Sequence, residues 1–377
     1  RGVGQGTGHA PGVAGGDANH GRAAEAVDGN AGEGADSNRF AEELMLVFAR
    51  LLLSKRRLVD PRVLLQVIMR GTGFSLDEEA DAPEFNKLFI SRLEAALEQA
   101  STSTRLRRIV YGEQLEEIRF HEEGDEETIQ TTRCIFSELI VPVASEKTRE
   151  LTAALREALR AELPSFRTPR GHLTDAIREL RFVRLPTLLC VHLQRVSYNV
   201  EARFAVKCSL PFVFPLVLEL SEYCASTEDA GSAYLLYALL LHKGDASCGH
   251  YQCVLRHESA ARGTRWLLFS DASVSEVPAL AVLTICKGEQ NAKTDGVVYC
   301  LFYLQREREA AEAYAAECEA AALPADSCER RVPPMEAADA DVAVETETEL
   351  AVEISGLPMA LRERIEREDE EAFGYDF

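Results

Sequence analysis

Six apolar runs between residues 185 and 304 set the strongest limit on how this chain can fold. They cover 185–196, 212–220, 234–241, 251–255, 266–269 and 297–304, and most are short and bounded by polar or turn residues. Runs of that length, rich in β-branched and aromatic residues, read as strands of an antiparallel sheet. The front of the chain has a different period. Phe40, Leu44, Val47, Phe48 and Leu51 recur at helical spacing behind Ser37-Asn38, a suitable N-cap. Asp60-Pro61 reads as a second helix start, with proline at the first helical position ahead of Val63, Leu64, Val67 and Ile68. Phe85, Phe89, Leu93 and Leu97 make a third stripe, four residues apart. Helices first and strands later give an α+β class.

Between these regions the pattern predicts strands over 115–120 and 129–143, joined by a polar loop, then a helix over 148–163. An Ala/Glu-rich helix, expected to be exposed, follows the last strand at 307–322. Three segments result. Residues 1–36 are Gly- and Ala-rich and expected to be disordered, 37–306 form the globular domain, and 307–377 form an acidic helical or disordered tail. The peptide Thr348-Glu349-Leu350-Ala351-Val352-Glu353-Ile354-Ser355 faintly suggests a ubiquitin- or SUMO-contacting peptide, against the plainer reading of an acidic tail with a few apolar residues.

Charge narrows the partners. The formal net charge is -21, and residues 332–377 hold 14 acidic against 3 basic residues, about half of that excess. A mildly acidic globular part makes nucleic acid an improbable partner. No run of 18 apolar residues occurs, so no membrane span is expected. The ten cysteines include no C-x-x-C pair and several fall in apolar runs, which suits free thiols in cytoplasm or nucleus.

One stretch concentrates chemistry. His242-Lys243-Gly244 closes an apolar run, Gly249-His250-Tyr251 opens the next, and Phe269-Ser270-Asp271 ends the one after it. A histidine beside a glycine, with a polar residue about twenty positions on at a strand end, suits a general base and its orienting partner. His192, His242 and His257 lack such a setting, and His242 reads as structural. Neighbours in a strand face opposite ways, so Ser270 and Asp271 can both approach His250 only if the strand ends or bulges there.

These residues resemble a known family. Leu185-Pro186-Thr187-Leu188-Leu189-Cys190-Val191-His192-Leu193-Gln194-Arg195-Val196, with Lys207 and Phe212-Val213-Phe214-Pro215, is similar to the central strand block of the ubiquitin-specific proteases. Gly249-His250-Tyr251 matches their histidine box, Tyr299-Cys300-Leu301-Phe302-Tyr303 their closing strand, and Asp81-Ala82-Pro83-Glu84-Phe85 a front helix that usually begins with glutamine, where Ala80 stands here. Asp60-Pro61 and Asn86-Lys87-Leu88-Phe89 resemble the branch containing ubiquitin carboxyl-terminal hydrolase 48.

The resemblance implies a papain-like fold with a helical thumb and an antiparallel palm and fingers. It implies cysteine-type hydrolysis at the ubiquitin C-terminus, and ubiquitin or ubiquitinated proteins as partners. His250 would be the base, with Ser270 or Asp271 orienting it; Ser270 stands where the family usually has Asp or Asn. Asp81 and Glu84 would belong to the cleft or contact ubiquitin's basic tail. The family's cysteine block should lie upstream of the first helix, yet the first cysteine is Cys134, so the block is expected to be missing from this chain and the chain alone inactive. A catalytically inactive ubiquitin-binding scaffold is the alternative. The family's paired zinc cysteines would fall near 120–127 and 164–173, where only His121 and His172 occur, so neither metal nor cofactor is expected.

Overall fold

The computed structural model describes residues 29–56, 58–75, 81–99, 103–122, 127–143, 149–199, 203–225, 232–259, 263–289, 294, 296–322 and 358–373. Four helices lead: α1 (Gly29–Leu53), α2 (Arg62–Met69), α3 (Ala82–Gln99) and α4 (Ser103–Val110). Phe40, Leu64, Val67 and Ile68 form a small buried core of their own, against which Phe85 and Phe89 of α3 pack. Helix α1 begins ahead of Ser37-Asn38, so that pair lies inside the helix instead of capping it. The Asp60-Pro61 signal holds to within a residue: the Asp60 carboxylate accepts the Arg62 backbone N–H at 3.0 Å at the start of α2. Helix α4 had no expectation in the sequence.

Strands β1 (Gly112–His121), β2 (Glu127–Phe136), β4 (Arg160–Arg167) and β5 (Leu173–Arg184) make a four-stranded antiparallel sheet in the order β2-β1-β5-β4. Two expectations fail here. The run 129–143 is two strands: β2 belongs to this sheet, whereas β3 (Leu139–Pro142) crosses to the larger one and pairs parallel with β6 (Leu188–Gln194). The expected helix over 148–163 is confined to α5 (Leu151–Leu159), and Arg160 onward is strand. Leu151, Ala154, Leu155 and Leu159 bury one face of α5, but the charged residues after it find backbone partners across β5.

Seven strands of the larger sheet run β13-β12-β11-β10-β14-β6-β3, with the two-residue β9 (Val217–Leu218) alongside β10. Here β10 is Ser232–Gly244, β11 Gly249–Ser259, β12 Gly263–Ser270, β13 Ser273–Val277 and β14 Val297–Glu307. Most of the run 212–220 is therefore irregular backbone instead of a long strand. Its Phe212, Phe214, Leu216 and Leu218 are nonetheless buried in the main core with Leu189, Leu239, Leu301 and Tyr303. A small hairpin, β7 (Val196–Asn199) and β8 (Phe204–Lys207), stands apart.

Of two later helices, the first had no expectation in the sequence and the second departs from its own. Helix α6 (Ala279–Cys286) is apolar on nearly every side, where periodicity cannot separate helix from strand. Helix α7 (Arg308–Ala322) is not an exposed spur: Ala311 and Cys318 are buried, Tyr314 accepts the Trp266 indole N–H at 3.1 Å, and the Arg256 guanidinium stacks on the Tyr314 ring. The tail also holds a formed helix, α8 (Met359–Phe373), docked on α1 by a bidentate Arg50–Glu368 pair at 3.0 Å and by Asp369 accepting from the Ser54 hydroxyl and the Lys55 backbone N–H. The peptide at 348–355 and residues 1–28 lie outside the described residues.

Candidate functional site

The turn between β10 and β11 fixes the histidine box. Gly244, at φ +113°, and Gly249 close the strand pair, with Lys243 opposite His250 and His242 opposite Tyr251. A Cβ on Gly249 would overlap the His242 Nε2 and the Lys243 carbonyl, so only glycine lets the histidine ring lie against the next strand. Within the turn the Asp245 carboxylate accepts the backbone N–H groups of Ser247 and Cys248, at 2.8 and 2.9 Å, and the Ser247 hydroxyl. Those bonds, the Ser247 backbone first, hold its pKa down to about 2. Lys207 braces the turn from outside by donating to the carbonyls of His242 and Gly244. Arg195, almost fully buried, ties the neighbouring strands through the carbonyls of Val298, Cys208 and Leu210, and burial lowers its pKa to about 10.

His250 lies on one face of β11. Its Nε2 is 3.0 Å from the Ser270 Oγ and 3.8 Å from an Asp271 carboxylate oxygen. Strand β12 ends at Ser270, and Asp271-Ala272 form a two-residue hairpin loop to β13, with Asp271 at φ +49°. Aspartate tolerates that left-handed backbone, and the reversal there brings two sequence neighbours to one imidazole. Asp271 is 83% exposed, so water screens its charge, and the closer Ser270 is the stronger contact. Gln252, two residues along the same face, places its amide nitrogen 3.2 Å from the Ser270 Oγ. The sequence offered no signal for Gln252, since only the β11–β12 register sets it across from Ser270.

Tyr251 lies on the other face. Its hydroxyl donates to the Asp81 carboxylate at 2.9 Å and accepts the Ala82 backbone N–H at 3.4 Å, which binds the start of α3 to the sheet. Its ring packs tilted against His242 and edge-on to Tyr299, with centroids 4.6 and 5.8 Å away. Burial, reinforced by Asp81, raises the phenol pKa values of Tyr251 and Tyr299, so both keep their protons. Asp81, His242, Asp245, Gly249, Tyr251 and Tyr299 line an open cleft of about 380 Å³. The cleft and the imidazole thus flank strand β11 from opposite sides, close to Gly249.

Other candidates separate. Glu84 is exposed on the first turn of α3 and does not line the cleft. His242 is buried among aromatic rings, His192 packs against Tyr299 with its pKa lowered by burial, and His257 is exposed on β11. The hairpin ends bearing His121 and His172 are the tips of the four-stranded sheet. There Arg170 pairs with Glu122 at 2.9 Å and Phe120 packs on Phe166. Among the described residues, no three His, Cys, Asp or Glu side chains converge as metal ligands. No described helix is long and apolar enough to cross a membrane.

The chain as a whole is similar to known proteins. A family model described as ubiquitin carboxyl-terminal hydrolase matches residues 18–303. Ubiquitin carboxyl-terminal hydrolase 48 of Danio rerio is 26% identical over 241 residues, covering 63% of this chain and 22% of that protein. The probable ubiquitin carboxyl-terminal hydrolase creB of Aspergillus niger is also 26% identical, over 281 residues, covering 66% of this chain and 36% of its own length. Ubiquitin carboxyl-terminal hydrolase 15 of Schizosaccharomyces pombe reaches 32% over 116 residues, 30% of this chain and 10% of the relative. The chain spans about a third or less of the length of these relatives, and equal identity to hydrolase 48 and creB singles out no branch.

Proposed function

The chain belongs to the ubiquitin carboxyl-terminal hydrolase family, and from that premise we propose that it serves cysteine-type deubiquitination, the hydrolysis of isopeptide or peptide bonds at the C-terminus of ubiquitin. The observation that carries this reading is the His250–Ser270 contact at 3.0 Å, at the end of the one hairpin that also brings Asp271 near. With Nε2 engaged, Nδ1 is the nitrogen left to take a proton from a thiol and return it to the leaving amine. Ser270 orients the ring without charge, and Asp271 adds a screened negative field to the imidazolium. Asp81 and the cleft beside it suit a basic, extended peptide such as a ubiquitin tail. The first cysteine of the 377 residues is Cys134, behind the front helices that the family's cysteine block is expected to precede.

That same position of Cys134 favours a second reading, a ubiquitin-binding scaffold that performs no chemistry. One experiment separates the two. Protein expressed from the complete coding sequence is treated with a ubiquitin propargylamide probe and assayed on a fluorogenic ubiquitin C-terminal amide. Deubiquitination requires probe labelling, and His250→Gln should lower kcat about 10²- to 10⁴-fold with ubiquitin affinity unchanged. Binding without labelling makes the protein a scaffold. Loss of both sinks the ubiquitin reading.

A further inference from the structure

Gln252 has no part in the reading above, yet its amide is the second polar group on Ser270. The amide nitrogen is 3.2 Å from the Ser270 Oγ, while its carbonyl oxygen is buried with no hydrogen-bond partner among the described residues. Buried side-chain amides kept for stability are normally paired at both ends, and a half-paired one calls for an explanation. We infer that Gln252 is a positioning residue which sets the direction of the Ser270 hydroxyl and thereby the tautomer of His250, an inference that rests on His250 being the base.

The logic follows from counting protons. A serine hydroxyl has one proton to give and two lone pairs to receive. When the Gln252 amide nitrogen donates to Ser270, the hydroxyl's own proton is free to point at the His250 Nε2, and a neutral ring then carries its proton on Nδ1. That tautomer has no lone pair to receive a thiol proton through Nδ1. A half-turn of the amide about its terminal bond exchanges nitrogen and oxygen with the side chain otherwise in place. Its carbonyl then takes the Ser270 proton, and the serine oxygen becomes purely an acceptor for an Nε2–H. Nδ1 is left bare, as a base requires, and the Nε2–H to Ser270 bond persists when the ring becomes imidazolium.

Sheet geometry makes this relay possible. His250 and Gln252 are two residues apart on β11 and so share a face. The register that pairs Cys253 with Phe269 continues to set Gln252 across from Ser270. An aspartate at the orienting position would need no such help, because a carboxylate can only accept. A serine can point its proton either way, and Gln252 supplies the acceptor that decides.

The test reads the imidazole directly and needs neither thiol nor ubiquitin. Long-range ¹H–¹⁵N correlation spectra of the ¹⁵N-labelled 377-residue chain, recorded above the titration of the ring, report the Nε2–H to Nδ1–H ratio of His250. The native chain should favour Nε2–H. Gln252→Leu should lower that ratio about three- to tenfold, the effect of one hydrogen bond. Gln252→Glu, which can only accept, should keep the ratio at or above the native value, and shows that a change in Gln252→Leu is not a folding defect. An unchanged ratio in Gln252→Leu, or a native ring dominated by Nδ1–H, overturns the inference. In the complete protein, Gln252→Leu should lower kcat with KM unchanged and Gln252→Glu should restore it. Failure of probe labelling with the ratio still responding would sink the deubiquitinase reading and leave the relay standing. Labelling without a response would sink the relay alone.

Discussion

Tyr251 and His250 are adjacent on β11, and their surroundings differ in kind. Tyr251 faces the cleft with Asp81, Tyr299 and His242, where partial burial raises its pKa and its hydroxyl joins a helix to the sheet. His250 faces the open end of a hairpin, its side chain 38% exposed, held by Ser270 and approached by Asp271. One residue ties a helix to the sheet, and its neighbour stands between two polar side chains at a hairpin end. The period-2 geometry of a strand lets a single segment do both without the two demands competing.

The comparison breaks most completely at Gly249. In Gly249→Ala the added methyl meets the His242 ring and the Lys243 carbonyl, and because one of these is backbone the β10–β11 pair must shift. We expect a loss of about 1–3 kcal/mol in denaturant unfolding, with the His250 and Tyr251 resonances both displaced. An unchanged midpoint would refute the packing account. Tyr251→Phe should break one face only. Removing the hydroxyl that Asp81 and the Ala82 N–H share should cost about 1–2 kcal/mol, while the His250 imidazole signals stay where they were. Movement of those signals would show the faces to be coupled.

The smallest effect concerns His192, at the edge of the buried face. Burial lowers its pKa from the ordinary 6.5, partly countered by Glu138 and Asp81. Well above pH 6.5 the ring is neutral folded or unfolded and contributes no slope. As pH falls below that value the unfolded chain takes the proton first, so stability declines toward the folded pKa and then levels. A urea-midpoint series should show this shallow decline and its absence in His192→Gln.

Much of the site was legible in the sequence. The strand runs ending at Gly244, opening at Gly249 and ending at Ser270 fixed which residues could meet, and the chain reversal at Asp271-Ala272 met the condition set for both Ser270 and Asp271 to approach His250. Gln252 was not legible, because its role depends on a cross-strand register. The parallel β3–β6 pair, the splitting of 129–143 between two sheets and the short α5 were hidden for the same reason. Local pattern announces an apolar stretch but not which partner its backbone will find. The packing of α7 on Trp266 and the docking of α8 on α1 depend on contacts between distant segments, with Arg50 and Glu368 318 positions apart.

The sequence by itself determined the α+β class, most of the strands around the histidine box and the choice of His250, Ser270 and Asp271 as candidates. These follow from periodicity and from residue chemistry, both local properties. Tertiary structure alone decided that Ser270 is the nearer partner, that Gln252 stands behind it and that Asp81 belongs to the opposite face. Those outcomes depend on register and on a single left-handed residue at a hairpin. A shift of one residue in a strand turns every side chain to the other face without altering the composition that announced the strand.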